Sequence, residues 1–194
     1  DGSVSLAHAA RWRTNADETY LIESRDIRLH PPEGNAYRID WTMVLTAIGG
    51  DRVWTSACEP GDRAGLSFRC PRSMDGAAGE VMNSEGESGA EGIHGRRARW
   101  ADYTGKLDGG EDPRKPDRAG VTLFDHPANH GHPGAWTAMT RPFGFLAANL
   151  MFGTSWTLKE DEPVTLRFGV LVHYGAPDQQ RIEREYAAFV AGSK

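Results

Sequence analysis

Between Tyr37 and Thr46 the chain alternates with a period of two. Tyr37, Ile39, Trp41, Met43 and Leu45 fall on one face, and Arg38, Asp40, Thr42, Val44 and Thr46 on the other. Successive side chains of an extended strand point to opposite faces, whereas a helix needs apolar residues three and four apart. The segment therefore reads as a long antiparallel strand with one face on a core. Val164, Leu166, Phe168, Val170 and Val172 repeat the pattern against Thr165, Arg167 and Gly169. Shorter strands are expected at residues 19–30, 65–70, 97–103, 121–124, 135–140 and 145–149. Turn formers such as Pro31-Pro32-Glu33-Gly34 and Gly49-Gly50-Asp51 lie between them. The expectation is a mainly β chain: an antiparallel β-sandwich, or a supersandwich-like variant of it, forming one domain over residues 1–194.

One segment is helical by pattern. Behind Pro177, Asp178 is placed to cap a helix whose apolar stripe is Ile182, Tyr186, Phe189 and Val190. This helix is expected to pack across one end of the sandwich. Two stretches, 74–95 and 106–119, read as long loops, the usual seat of binding groups on a β scaffold.

Composition narrows the partners. The 194 residues carry 22 basic and 27 acidic side chains, a net charge of -5. Such a surface does not attract a phosphate backbone, so no nucleic acid is expected. No apolar run approaches the ~18 residues of a membrane span, so a soluble, cytoplasmic protein is expected. Two cysteines, Cys58 and Cys70, make neither a disulfide framework nor a four-thiolate zinc site. Two reduced thiols are the expectation, with a single bridge as the alternative.

Two segments concentrate reactive side chains. The first runs from Asn83, Ser84 and Glu85 through Glu91, His94, Arg96, Arg97 and Trp100 to Asp102. Carboxylates beside histidine, arginine and tryptophan suit sugar binding and proton transfer, because arginine offers paired donors and indole a flat stacking face. A pair of carboxylates also suits glycosidic hydrolysis. The plain alternative is an acidic solvated loop leading into a strand. The second is Asp125-His126-Pro127-Ala128-Asn129-His130-Gly131-His132-Pro133, followed by Trp136. Asp125, His126, His130 and His132 are weak candidates for a divalent metal, since Pro127, Gly131 and Pro133 forbid a regular ligand-bearing helix. Acid–base catalysis by these histidines and structural hydrogen bonding are the other readings. His173 falls on the phase opposite Val172 and is expected to face water or a cleft. No GxGxxG, phosphate-cradling loop or GxSxG elbow is present, so no nucleotide cofactor is expected.

Gly65-Leu66-Ser67-Phe68-Arg69, Asn83-Ser84-Glu85-Gly86, the run from Gly95 to Tyr103, Phe124-Asp125-His126-Pro127-Ala128-Asn129 and Gly144–Asn149 together resemble the PmoA-like family of bacterial proteins. The resemblance extends from about Tyr20 to Phe189. It implies a soluble, largely β protein of undetermined activity, commonly encoded near sugar-metabolism genes. It also implies that the chain is the C-terminal two-thirds of a larger family domain, with upstream strands supplied elsewhere or by a partner. The family's methane-oxygenase label sits poorly with a chain that has no membrane span.

The leading functional expectation is a carbohydrate-active enzyme: a hydrolase, lyase or epimerase on a sugar or glycoside. His126, or His94, moves a proton with Glu85 or Asp102 as its partner. Arg96, Arg97, Asn83 and Asn129 hold the substrate, and Trp100 or Trp136 stacks on its ring. No cofactor is expected, with a divalent metal the lesser alternative. A non-catalytic carbohydrate-binding or assembly module is the second reading, and a metal-dependent oxygenase the third. The expected partners are a small carbohydrate ligand and a second copy of the chain, or the missing strands, paired at an unpaired sheet edge.

Overall fold

The computed structural model describes residues 2–55, 65–108 and 117–192. Twelve strands are described: β1 Val4–Arg13, β2 Thr19–Leu29, β3 Ala36–Ala47, β4 Arg52–Thr55, β5 Ser67–Arg69, β6 Gly79–Asn83, β7 Trp100–Lys106, β8 Arg118–Asp125, β9 Ala135–Met139, β10 Phe145–Asn149, β11 Ser155–Leu158 and β12 Val164–Tyr174. A four-residue helix, α1 (Ala90–Ile93), precedes β7, and α2 (Gln179–Gly192) closes the described chain. The mainly β expectation holds.

Seven strands form one antiparallel sheet in the order β1-β2-β3-β12-β8-β7-β6, so β1 and β6 are its edges. The two strongly alternating segments, β3 and β12, pair in the middle, Leu45 opposite Val164 and Tyr37 opposite Val172. Opposed residues of an antiparallel ladder share a face. One face of the sheet therefore carries Leu21, Leu45, Leu166, Phe168, Leu123 and Tyr103, all buried. They pack with Trp136, Ala138, Leu146 and Ala148 of the small sheet β5-β10-β9 and with Leu158 of the two-stranded β11-β4 sheet. We call this the inner face. Each large side chain buried there adds roughly 1.5–3 kcal/mol, which is why the phase of β3 and β12 is fixed.

The opposite face is not open to water. Helix α2 lies on it: Ile182, Tyr186 and Phe189 pack with Trp100, Phe124, Leu171 and Ala36. The expected docking across one end of the sandwich is thus corrected to docking on the outer face of the large sheet. Bare glycine at 169 makes this possible, because a Cβ there would lie 2.6 Å from the Phe124 ring. Polar ties complete the docking: Arg99 Nη1 and Nη2 donate to Glu183 at 3.1 and 3.0 Å, and Arg38 Nη1 to Glu185 at 3.0 Å. Asp178 Oδ1 accepts from Arg181 N at 3.1 Å, the expected cap.

The stretch 74–95 is more structured than its composition suggests, containing β6 and α1. Its tight Asn83 turn accounts for this: Asn83 Oδ1 accepts from Glu85 N and Glu87 N at 3.0 and 3.1 Å. Most of 106–119, including the Gly109–Pro113 run, lies outside the described residues, as does Cys58. Cys70 is a buried free thiol pushed up to about 12, by burial and then by the Asp75 charge.

Candidate functional site

The side chains singled out in the sequence do not meet in one place. Glu85 is exposed and accepts from Ser84 Oγ at 2.7 Å. Arg96 is exposed and pairs with Glu87 at 3.6 Å, while Asn83 Nδ2 donates to the same carboxylate at 2.8 Å. His94 is exposed and meets the edge of Phe152 at 5.2 Å. Arg97 ties down its neighbouring loop, donating to the carbonyls of Gly131 and Pro133 at 2.8 and 2.9 Å. Trp100 and Trp136 are wholly buried, their Nε1 groups donating to Glu183 at 3.0 Å and to the Ala98 carbonyl at 2.9 Å. Neither has a ring face open to a sugar, so the stacking role assigned to them is corrected. Both phases of the β strands are buried here, one by the small sheet and one by α2.

The Asp125–His132 segment separates onto two faces. His126 points to the outer face and meets Phe189 of α2 edge-on at 5.4 Å. Burial, and then the Arg167 charge, hold its pKa below the ordinary imidazole value. Asp125, wholly buried on the inner face, accepts from Asn129 Nδ2 at 2.8 Å, Gly134 N at 2.8 Å and His132 Nδ1 at 2.7 Å. Asn129 also donates to the Arg167 carbonyl at 2.6 Å and accepts from Arg167 N at 2.7 Å. These bonds staple the loop to β12. His130 lies elsewhere, stacked on Trp156 with ring centroids 4.4 Å apart. Of the four candidate metal ligands only Asp125 and His132 meet, while His126 and His130 lie apart from them and from each other. Among the described residues, no group of three or more His, Cys, Asp or Glu side chains is placed to hold a metal ion.

Two other arrangements carry chemistry. The first is a cavity of about 400 Å3 on the inner face, at the β1–β3 end of the sheet. Its walls are the indoles of Trp12 and Trp54, 6.5 Å apart and tilted by 35°, and its floor includes Met43, Leu45 and Leu166. Trp12 is 37% exposed, so part of its ring is open. Glu23 and Arg25 line the same cavity. Glu23 is buried, and its carboxylate accepts from Trp12 Nε1 at 2.8 Å, from Arg25 Nη2 at 2.9 Å and from Arg25 Nε. Burial acts to raise its pKa, but the hydrogen bonds from Arg25 and Trp12 and the charges of Arg25 and His8 outweigh it and lower the value. The Arg25 guanidinium also lies 5.8 Å from the centroid of the Trp41 ring, whose buried Nε1 has no hydrogen-bond partner among the described residues. From Trp12 the aromatic row continues through Trp54 to Trp156 and His130. The signal in the sequence was the phase of β2: Leu21 and Ile27 face inward, and so must Glu23 and Arg25 between them.

The second arrangement is on the outer face. Asp102 of β7, a sequence candidate, is buried and accepts from Thr104 Oγ1 at 2.7 Å, Thr122 Oγ1 at 2.8 Å and His173 Nε2 at 2.9 Å. His173 is 4% exposed, which corrects its expected orientation toward water. Helix α2 covers the face that the sequence pattern left open.

No described helix is long and apolar enough to cross a membrane. No curated protein and no solved structure matches the chain significantly. Residues 1–187 do match a sequence family described as a family of unknown function, DUF6807, and with nearly its whole length covered the chain belongs to that family.

Proposed function

We propose that this protein recognises a carbohydrate, and that the sugar lies in the cleft lined by Trp12 and Trp54. The carrying observation is the combination of open indole surface with a Glu23–Arg25 pair in one cavity of about 400 Å3. A pyranose has an apolar face of C–H groups and a rim of hydroxyls. An indole accepts the first, while a fixed carboxylate and a guanidinium answer the second.

Recognition fits this cleft better than hydrolysis. Among the described residues lining it, Glu23 is the only carboxylate, and two are needed for the usual glycosidase mechanisms. Its lowered pKa keeps it ionised at neutral pH, an acceptor rather than a proton donor. The resemblance to PmoA-like proteins supports a sugar as ligand through its link with sugar-metabolism genes. The oxygenase label draws no support from Asp125, His126, His130 and His132, of which only Asp125 and His132 meet.

The test is a tryptophan-fluorescence titration with a panel of neutral mono- and disaccharides. Saturable quenching by at least one sugar, lost in Trp54→Ala, is expected. A flat response across the panel contradicts the reading.

A further inference from the structure

We infer that strand β1 is a dimerisation edge, along which a second copy of this chain pairs antiparallel about a two-fold axis at Ala9. The two edges of the large sheet are finished differently. At β6 the chain folds back along the strand. There Gly89 N donates to the Val81 carbonyl at 2.9 Å, Asn83 N to the Glu87 carbonyl at 3.2 Å, and Ser88 bridges to Met82. Strand β1 has β2 on one side and no described strand on the other, and all of its residues but Ala10 are exposed. Alternate residues of an edge strand turn their N–H and C=O groups away from their one neighbour, so β1 offers a free ladder. No proline interrupts it, and its pairing with β2 is regular as far as Trp12.

Side chains select the partner. On the outer face Arg11 and Asp26 are exposed, and neither side chain has a partner among the described residues. Within one chain they are kept apart: Arg11 stands opposite Ile22 and Asp26 opposite Ala7. That offset along the ladder is roughly 14 Å at about 3.4 Å per residue. A second β1 related by an axis at Ala9 places the partner's Arg11 opposite Ala7, and so in line with Asp26. The two backbones are then two strand spacings, or about 10 Å, apart. The short Ala7 leaves the path clear, and an extended arginine and aspartate span it. The symmetry makes this ion pair twice.

The same register suits the inner face. Leu6, 59% exposed, meets the partner's Trp12, 37% exposed, and His8 meets the partner's Ala10. Arg13, already paired with Asp17 at 2.7 Å, lies beyond the register shift that ends the regular ladder. Moving the axis to His8 loses these matches. It sets Arg11 opposite Ser5 and beside Arg28, and brings two His8 rings together between two Arg25 side chains. Arg11 and Asp26 do not line the tryptophan cleft, so the pairing stands apart from sugar recognition there.

The experiment is sedimentation equilibrium of the full chain over a concentration series, with circular dichroism confirming that each variant is folded. The mass should rise with concentration from one chain to two. Arg11→Asp turns both ion pairs of the dimer into repulsions and should weaken association roughly tenfold, as should Asp26→Arg. Both are exposed changes that leave the core untouched. Combining them restores opposite charges and should recover most of the lost affinity. A mass of one chain at every concentration leaves β1 to some other partner and overturns the inference. A dimer that neither reversal weakens, or that the double reversal fails to rescue, overturns it as well.

Discussion

Glu23 and Asp125 are both buried carboxylates on the inner face of the same sheet, and they serve opposite ends. Asp125 is surrounded by donors that belong to a loop: an amide side chain, a backbone N–H and an imidazole from residues 129–134. Its charge is consumed in fixing that loop against β12. Glu23 receives its donors from strand side chains, Trp12 and Arg25, that themselves line a cavity. Burial and hydrogen bonding alone therefore do not distinguish a site from a staple. On the proposed reading, what the donors are attached to does.

The largest expected effect is on the staple. Asp125→Ala leaves several buried donors unpaired and should cost about 3–5 kcal/mol in chemical denaturation, while sugar affinity per folded molecule stays the same. A cost below about 1 kcal/mol would erase the contrast. Asn129→Ala, which strips one donor from Asp125 and leaves both backbone groups of Arg167 unmet, should cost about 1–3 kcal/mol by the same measurement.

On the cleft side the effects move from stability to binding. Trp12→Ala should weaken sugar binding at least about tenfold, or ~1.4 kcal/mol, by calorimetry. Trp12→Phe keeps a ring but loses the donor to Glu23, so it separates stacking from support of the carboxylate. The smallest effect is in pH dependence. The folded pKa of Glu23 lies below its unfolded value of about 4.3, so its contribution is fully present above that pH. It is lost as pH falls through the lower folded value. Acid-unfolding curves of Glu23→Gln should lack that part of the slope, and identical curves would show that Glu23 gains nothing from its partners.

Much of the architecture was legible in the sequence because it rests on alternation. The phase of β3 and β12 names the inner core directly, and the stripe Ile182, Tyr186, Phe189 names the buried face of α2. Strand β1 was not legible: as an edge strand with Val4 65% and Leu6 59% exposed, it has little apolar contrast between its faces. The helix position was not legible either, since a stripe says what is buried but not against which layer. The site suffered from the same gap. Histidine and carboxylate density drew attention to Asp125–His132, where Asp125 and His132 satisfy each other while His126 and His130 point to other surfaces. Glu23, Arg25 and Trp12 come from two strands and are only brought together by the register Trp12–Leu21 and Ala10–Glu23. Asp102 was visible, but its partner His173 lies 71 residues away along the chain.

Chemical-shift mapping of the indole N–H groups during a sugar titration tests the central claim most directly. The account predicts that the resonances of Trp12 and Trp54 move saturably while buried Trp100 and Trp136 stay still. Saturable sugar binding that leaves Trp12 and Trp54 unmoved would contradict it.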